Sequence, residues 1–133
     1  MTAISGRECP SANARELTAT LGDITAFAHL GRYYAAKIEA ACELALFDSP
    51  SKSEPQQASI AKLEAALGHW RAYAATYTKQ YRQPLLYNRV GWVDLVQLAE
   101  KAAADIEIAR DWKPGSVKYS PPAGKNRGSI FGL

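Results

Sequence analysis

The chain has 133 residues, 47% hydrophobic and 22% charged, which is typical of a globular protein with one domain. Its net charge of +3 comes from the residues after Trp112, which carry four cations and no acid, while the rest of the chain has 12 cations against 13 acids. A near-neutral body argues against a nucleic-acid partner, which needs a basic surface. No stretch approaches the roughly 18 apolar residues of a membrane span, so we expect no membrane partner either.

The start of the chain is predicted to hold two short segments. Residues 1–10 are predicted to be a lead-in, and they lack the apolar central region of a signal peptide. A short helix is predicted from Ala12 to Thr20, with Ser11 as its N-cap and Gly22 as its stop.

A first long helix is predicted to begin near Asp23, a good N-cap residue, and to end near Phe47. Apolar residues recur along it in steps of three and four, the spacing of one helix face, and we expect this face to be buried. Its members are Ile24, Phe27, Ala28, Gly31, Tyr34, Ala35, Ile38, Ala41, Cys42 and Ala45. A mid-helix glycine costs roughly 1 kcal/mol relative to alanine, so Gly31 is expected to admit a neighbouring helix that carries Trp70.

The polar stretch DSPSKSEPQQ predicts a loop, and a second long helix is predicted from near Pro55 to about Arg82, before Pro84. At roughly 100° per residue, one stripe of this helix covers the arc expected of a buried face. The stripe consists of Ile60, Leu63, Leu67, Trp70, Ala74, Tyr77 and Tyr81. Tyr73 falls roughly 40° beyond it, so we expect Tyr73 on the flank, at the boundary with solvent.

The segment QPLLYNRVG predicts a connection, because Asn88 and Gly91 favour turns. A third helix is predicted from Val93 or Asp94 to Asp111 or Trp112, with the Asp94 carboxylate near its N-terminus. Its buried side is expected to consist of Leu95, Leu98, Ala99, Ala102, Ile106 and Ala109. Residues 114–133 are rich in Gly, Pro and Ser and predict a flexible tail.

These elements predict an all-α fold, because no alternating pattern typical of a β-strand is found. We expect an antiparallel bundle of three long helices plus a short N-terminal helix, over residues 11–113. Across such a bundle, Asp105 is expected to pair with Lys37 or Arg32.

Candidate ligand-binding residues come from the aromatic and cationic side chains of the first two long helices. They are Tyr33, Tyr73, His69 and Arg71. Aromatic faces stack on sugar rings, and arginine offers donors in a fixed geometry. Tyr34 falls on the apolar face of its helix, and Tyr33 lies about 100° away from it.

Templates for catalysis and for metal binding are missing. The two histidines, His29 and His69, lie in no HExxH or HxxE arrangement, and neither a nucleophile elbow nor a glycine-rich phosphate loop is present. Cys9 and Cys42 lack the spacing of a metal motif or a disulfide framework, so their pairing and the redox compartment stay open. We therefore expect no cofactor and no metal, and catalytic activity in this chain is the less favoured reading.

Three phrases of the sequence together resemble a known kind of protein segment. They are LGDITAFAHLGRYYAAKIEAACELALF, LEAALGHWRAYAATYTKQYRQPLLYNRVGWVDL and DIEIARDW, within about Leu21 to Lys113. They resemble the C-terminal helical segment of large bacterial carbohydrate-active proteins of the glycoside-hydrolase or α-glucuronidase-like sort. The resemblance implies an accessory module that packs against a neighbouring catalytic domain or self-associates, with the active site in another domain. It also implies a periplasmic or secreted location.

Two other functions stay open from the residues alone. The first is a small sugar- or ligand-binding helical domain that uses surface aromatics. The second is nucleic-acid binding by the cationic segment from Arg71 to Arg89 together with the tail, against which the near-neutral body argues.

Overall fold

The structure, a computed structural model, describes residues 11–49 and 55–117, so the lead-in and most of the tail lie outside the described residues. In this part the chain is mostly helical, which confirms the all-α class in its coarse form. The elements in order are α1 (Ser11–Asp48), α2 (Pro55–Tyr77), β1 (Leu85–Tyr87), β2 (Gly91–Val93) and α3 (Leu98–Asp111).

The predicted short N-terminal helix is wrong, because α1 is one continuous helix of 38 residues that runs through Gly22. This glycine makes room for a side chain instead of ending the helix. A Cβ built at Gly22 would lie 2.5 Å from the amide nitrogen of Gln80. The next residue, Asp23, is correspondingly no N-cap: its carboxylate accepts hydrogen bonds of 3.0 Å from Gln80 Nε2 and from the Tyr81 hydroxyl.

Helices α1 and α2 run antiparallel and pack closely, because small residues line their contact. The buried alanines are Ala26, Ala36 and Ala40 of α1 and Ala66 and Ala74 of α2. Between them, the fully buried Ser59 donates a hydrogen bond of 2.8 Å to the carbonyl oxygen of Ala40. Outside the contact, Lys62 forms an ion pair with Glu39.

The seam predicted on α2 is largely confirmed. Ile60, Leu63 and Leu67 are buried in one core cluster, and Trp70 and Tyr77 are half-buried beside the core. The helix ends at Tyr77, five residues earlier than predicted, and Tyr81 follows in a turn in which its N–H donates to the Tyr77 carbonyl.

A short antiparallel hairpin, which the sequence did not predict, fills the connection after α2. Leu85 pairs with Val93, Leu86 with Trp92 and Tyr87 with Gly91. Gly91 has a φ of 85°, the left-handed conformation that a three-residue hairpin loop needs after its turn. With strands of only three residues, an alternating pattern has no room to develop.

The last helix, α3, begins at Leu98, later than predicted. Asp94 instead stabilises the preceding turn, where its Oδ1 accepts hydrogen bonds from the N–H groups of Val96 (2.9 Å) and Gln97 (3.0 Å). The predicted buried side is confirmed, since Leu95, Ala102, Ile106 and Ala109 are buried and Leu98 and Ala99 are half-buried.

Candidate functional site

The long helix α1 carries an exposed apolar face on the side away from α2 and α3. The face predicted to be buried is this exposed one, so that prediction is wrong. Seven large apolar side chains of α1 are 44–64% exposed: Leu17, Leu21, Ile24, Phe27, Tyr34, Ile38 and Leu46. The helix instead buries a second, mainly small-residue face through Ala26, Tyr33, Ala36 and Ala40.

Nine exposed residues of α1, four of them among these large side chains, lie along one line of the helix, which we call the outer stripe. It consists of Leu17, Leu21, Ile24, Ala28, Gly31, Ala35, Ile38, Cys42 and Ala45, all exposed. Phe27 and Tyr34 lie beside the outer stripe on one side, and Arg32 and Glu39 are the charged residues on the other. Nothing lies within 4 Å of a Cβ built at Gly31, so the predicted close approach of the Trp70 helix is wrong.

The N-terminal part of α1 extends beyond the bundle. Every residue from Asn13 to Leu21 is exposed, so this part of the helix has no side that faces the core. Isolated helices of this length are marginal in water, and an apolar face on such an extension is expected to be stabilised by packing.

A pocket of about 310 Å³ opens between α1 and α3, above Trp70 of α2. Tyr33, Tyr34 and Trp70 provide its aromatic lining, and Lys37, Lys101 and Asp105 its charged groups. This volume lies at the lower end of the range for small-molecule sites.

The charged side of this pocket is held by an ion pair that the sequence predicted. Lys37 Nζ lies 2.7 Å from Asp105 Oδ2 and donates a hydrogen bond of 3.3 Å to the Tyr33 hydroxyl. The hydrogen bond to Asp105 raises the pKa of Lys37 and so favours the charged ammonium. With Lys101 on the rim, the pocket has two cations against one carboxylate.

The aromatic residues form a continuous ladder that runs from the pocket to the end of α2. Neighbouring ring centroids lie 4.4–5.5 Å apart in the order Tyr34, Tyr33, Trp70, Tyr73, Tyr77 and Tyr81. Trp70 Nε1–H also donates a hydrogen bond of 2.9 Å to the Leu95 carbonyl oxygen. Within the ladder, the contact of Tyr33 with Trp70 joins α1 to α2, and the Trp70 hydrogen bond joins α2 to the segment before α3.

Of the four predicted ligand residues, only Tyr33 lines the pocket. Tyr73 was expected at the flank, but it is 5% exposed in the core beside Leu95, and burial raises its pKa well above the usual range. His69 is half-buried and Arg71 exposed, and neither lines this pocket.

The facing of the two adjacent tyrosines is the reverse of the prediction. Tyr33 is 7% exposed and Tyr34 is 54% exposed. Sequence reasoning therefore missed Tyr34 and Lys101 as pocket residues. The four-residue step from Tyr33 to Lys37 indicated that these two side chains share a helix face, but it did not point to Tyr34 or Lys101.

Within residues 11–49 and 55–117, no group of three or more His, Cys, Asp or Glu side chains could hold a metal ion. None of the helices described in this part of the chain is long and apolar enough to cross a membrane. Cys42 is exposed and unpaired in the outer stripe.

The comparisons with known proteins add no relative to this picture. The resemblance to carbohydrate-active proteins therefore stays a prediction. No protein-family model, no curated protein and no solved structure matches this chain.

Proposed function

We propose that this chain is a non-catalytic helical interaction module that binds a partner helix along the outer stripe of α1. The observation that supports this most strongly is the exposure of seven large apolar side chains on one helix. At roughly 200 Å² for a large apolar side chain, these exposures leave on the order of 800 Å² of mainly apolar surface in contact with water. Monomeric proteins rarely expose apolar patches larger than a few hundred Å².

The resemblance over about Leu21–Lys113 extends this proposal to the kind of partner. In that setting the module accompanies a bacterial polysaccharide-processing enzyme, in the periplasm or outside the cell, and the outer stripe packs on its catalytic domain or on a second module.

The proposal is tested by capturing partners from the source organism with three forms of the chain as bait. The forms are the wild type, the double variant Ile24→Lys/Ile38→Lys in the outer stripe, and the control Ile108→Lys. Ile108 is an isoleucine of α3 with 54% exposure that lies outside the stripe, and all three forms are expected to fold alike.

We expect mass spectrometry to identify a partner that the wild type and the control retain and the double variant loses at least about tenfold. The partner is another protein or a further copy of this chain. Equal recovery of all proteins on the three baits would overturn the proposed function.

A second candidate function is binding of a small acidic sugar in the pocket between α1 and α3. It is supported by the exposed Tyr34 ring beside Lys101, because a sugar ring stacks on an aromatic face and a carboxylate pairs with an ammonium. Calorimetric titration with neutral and uronic-acid oligosaccharides tests it.

Binding of the acidic sugars is expected to fall in Tyr34→Ala and Lys101→Ala and to persist in Lys79→Ala, an exposed cation outside the pocket. An added Arg71→Ala variant tests the residue chosen from sequence. The absence of heat with all sugars would exclude this candidate.

A further inference from the structure

We infer that the partner helix on the outer stripe is α1 of a second copy, packed antiparallel to form a homodimer. This inference rests on the proposed function and adds the identity and direction of the partner. Three features of α1 support it: the period of the stripe, its area, and the match between its two ends.

The period of the outer stripe is that of a coiled coil. From Leu17 to Ala45 its nine residues follow one another in alternating steps of four and three, with no interruption. This average of 3.5 residues is the repeat that keeps two helices in contact along their length. The pattern fits another long helix as the occupant. Within the described residues α2 has the same period on its buried side, and α1 is the one helix that carries it with large exposed apolar side chains.

The area suits a symmetric dimer. The seven large side chains exposed in and beside the outer stripe leave on the order of 800 Å² in contact with water, which is similar to what one partner contributes to an interface of standard size. The face holds one cation and one acid, Arg32 and Glu39, and Glu39 is already paired with Lys62. A face with so little net charge does not select a strongly acidic or basic partner.

The two ends of the stripe match when the helices are antiparallel and overlap fully. The midpoint of Ser11–Asp48 falls between His29 and Leu30. A two-fold axis at this point gives an isologous interface, in which the same face of each copy packs against the other. It brings Leu17 against Cys42 of the second copy, Leu21 against Ile38, Ile24 against Ala35, and Ala28 against Gly31. Leu17 and Ile24 then face smaller residues, the two large residues Leu21 and Ile38 face each other, and the smallest pair lies at the axis.

Other arrangements fit less well. A parallel pair would place Ala28, Gly31 and Ala35 each against itself, which leaves three successive layers underfilled. An antiparallel pair shifted by one heptad in one direction would place Arg32 beside Arg32 of the second copy. A shift in the other direction would place Ile38 against Ala14, outside the stripe. The fully overlapped pair places Arg32 beside Thr25 and Phe27 beside Tyr34, without a like-charge contact.

Sedimentation equilibrium of the purified full chain tests the dimer. We expect the wild type and Ile108→Lys to be dimers at micromolar concentration, and Ile24→Lys to weaken the dimer at least about tenfold. Circular dichroism is expected to show the same helix content for all three. A wild type that is monomeric throughout, or a control weakened as much as Ile24→Lys, would overturn the homodimer.

Cysteine cross-linking tests direction and register with the natural Cys42. A Cys9→Ser/Leu17→Cys variant is oxidised with oxidised glutathione, and the joined peptides are identified by mass spectrometry. We expect a disulfide between Cys42 and the residue-17 thiol. Within one chain these positions lie about 37 Å apart along α1, so this bond forms only between copies.

The outcomes separate the inference from the function on which it rests. A disulfide that joins Cys42 to Cys42 indicates a parallel pair and contradicts the antiparallel register. A monomeric chain that retains a different protein through the outer stripe contradicts the homodimer and leaves the interaction module intact. A wild type that is monomeric and captures the same proteins as Ile24→Lys/Ile38→Lys contradicts both.

Discussion

The carboxylate of Asp48, the last residue of α1, accepts a hydrogen bond of 2.7 Å from the indole Nε1–H of Trp112, which follows α3. The same oxygen accepts a hydrogen bond of 2.9 Å from the N–H of Ser116, and the Asp48 carbonyl accepts one of 3.0 Å from Gly115. Residues first assigned to the tail are therefore bound to the end of α1, and this cluster closes one end of the bundle.

This cluster predicts how stability depends on pH. The hydrogen bond from Trp112 lowers the pKa of Asp48 below its usual 3.8. Because the folded state favours the ionised form, the stabilisation is complete above the unfolded pKa and is lost as the pH falls through the folded pKa. We expect Asp48→Asn to lower the melting temperature at pH 6 and to lose this difference as the pH falls through the lowered pKa of Asp48.

The control for this prediction is Glu16→Gln, which removes an exposed carboxylate from the extension of α1. Its melting temperature is expected to follow the wild type across the same range of pH. A constant difference between Asp48→Asn and the wild type from pH 6 to pH 2 would contradict the role assigned to the ionised carboxylate.

A second prediction concerns the buried hydroxyl of Ser59. Its hydrogen bond to Ala40 lies wholly inside the contact of α1 and α2, so Ser59→Ala is expected to lower the free energy of unfolding by about 1 kcal/mol. Thr25→Ala is the control, because the exposed Thr25 hydroxyl bonds only within its own helix. Urea unfolding measures both, and an equal loss in the two variants would count against the interhelical bond.

The two glycines of α1 support a third prediction, in which they behave differently. Gly31 has open space around it, so Gly31→Ala is expected to raise the free energy of unfolding by up to about 1 kcal/mol. Gly22→Ala is expected to raise the free energy of unfolding by less, because the new Cβ displaces Gln80 from its hydrogen bond with Asp23. Unfolding at low protein concentration, where association is minor, compares them, and an equal gain would contradict the contact at Gly22.

The facing of α2 and α3 could be predicted from sequence, because each has a single clear apolar stripe. A partner of Asp105 on α1, Lys37 or Arg32, could be anticipated because Asp105 flanks the stripe of α3, and the structure shows Lys37 in this role. The facing of α1 could not be predicted from sequence, because that helix has two apolar faces. Periodicity favoured the one with larger side chains, whereas the bundle buries the one lined by alanine, which permits close packing.

The same argument explains what was missed at the candidate sites. A rotation of α1 exchanges the environments of Tyr33 and Tyr34. The sequence therefore assigned Tyr34, the more exposed of these two pocket residues, to the core. The same rotation places the outer stripe on the surface, whereas the sequence predicted that this face would be buried. Gly22 looked like a helix stop because the approach of Gln80, 58 positions later, leaves no mark in the local sequence.

The last prediction concerns Trp70, the third ring of the aromatic ladder. Trp70→Phe keeps ring contacts with Tyr33 and Tyr73 but removes the hydrogen bond to the buried Leu95, which is expected to cost about 1 kcal/mol. Trp70→Ala removes both kinds of contact and is expected to cost about 3 kcal/mol.

Trp92→Phe is the matched control for Trp70→Phe, since this indole in the hairpin is 71% exposed and its replacement is expected to change stability by less than about 0.5 kcal/mol. Chemical unfolding followed by circular dichroism compares the variants, because fluorescence would change with the loss of either indole. If Trp70→Phe were as harmless as Trp92→Phe, Trp70 would not connect α2 to the segment before α3, and the ladder would stabilise only the contact between α1 and α2.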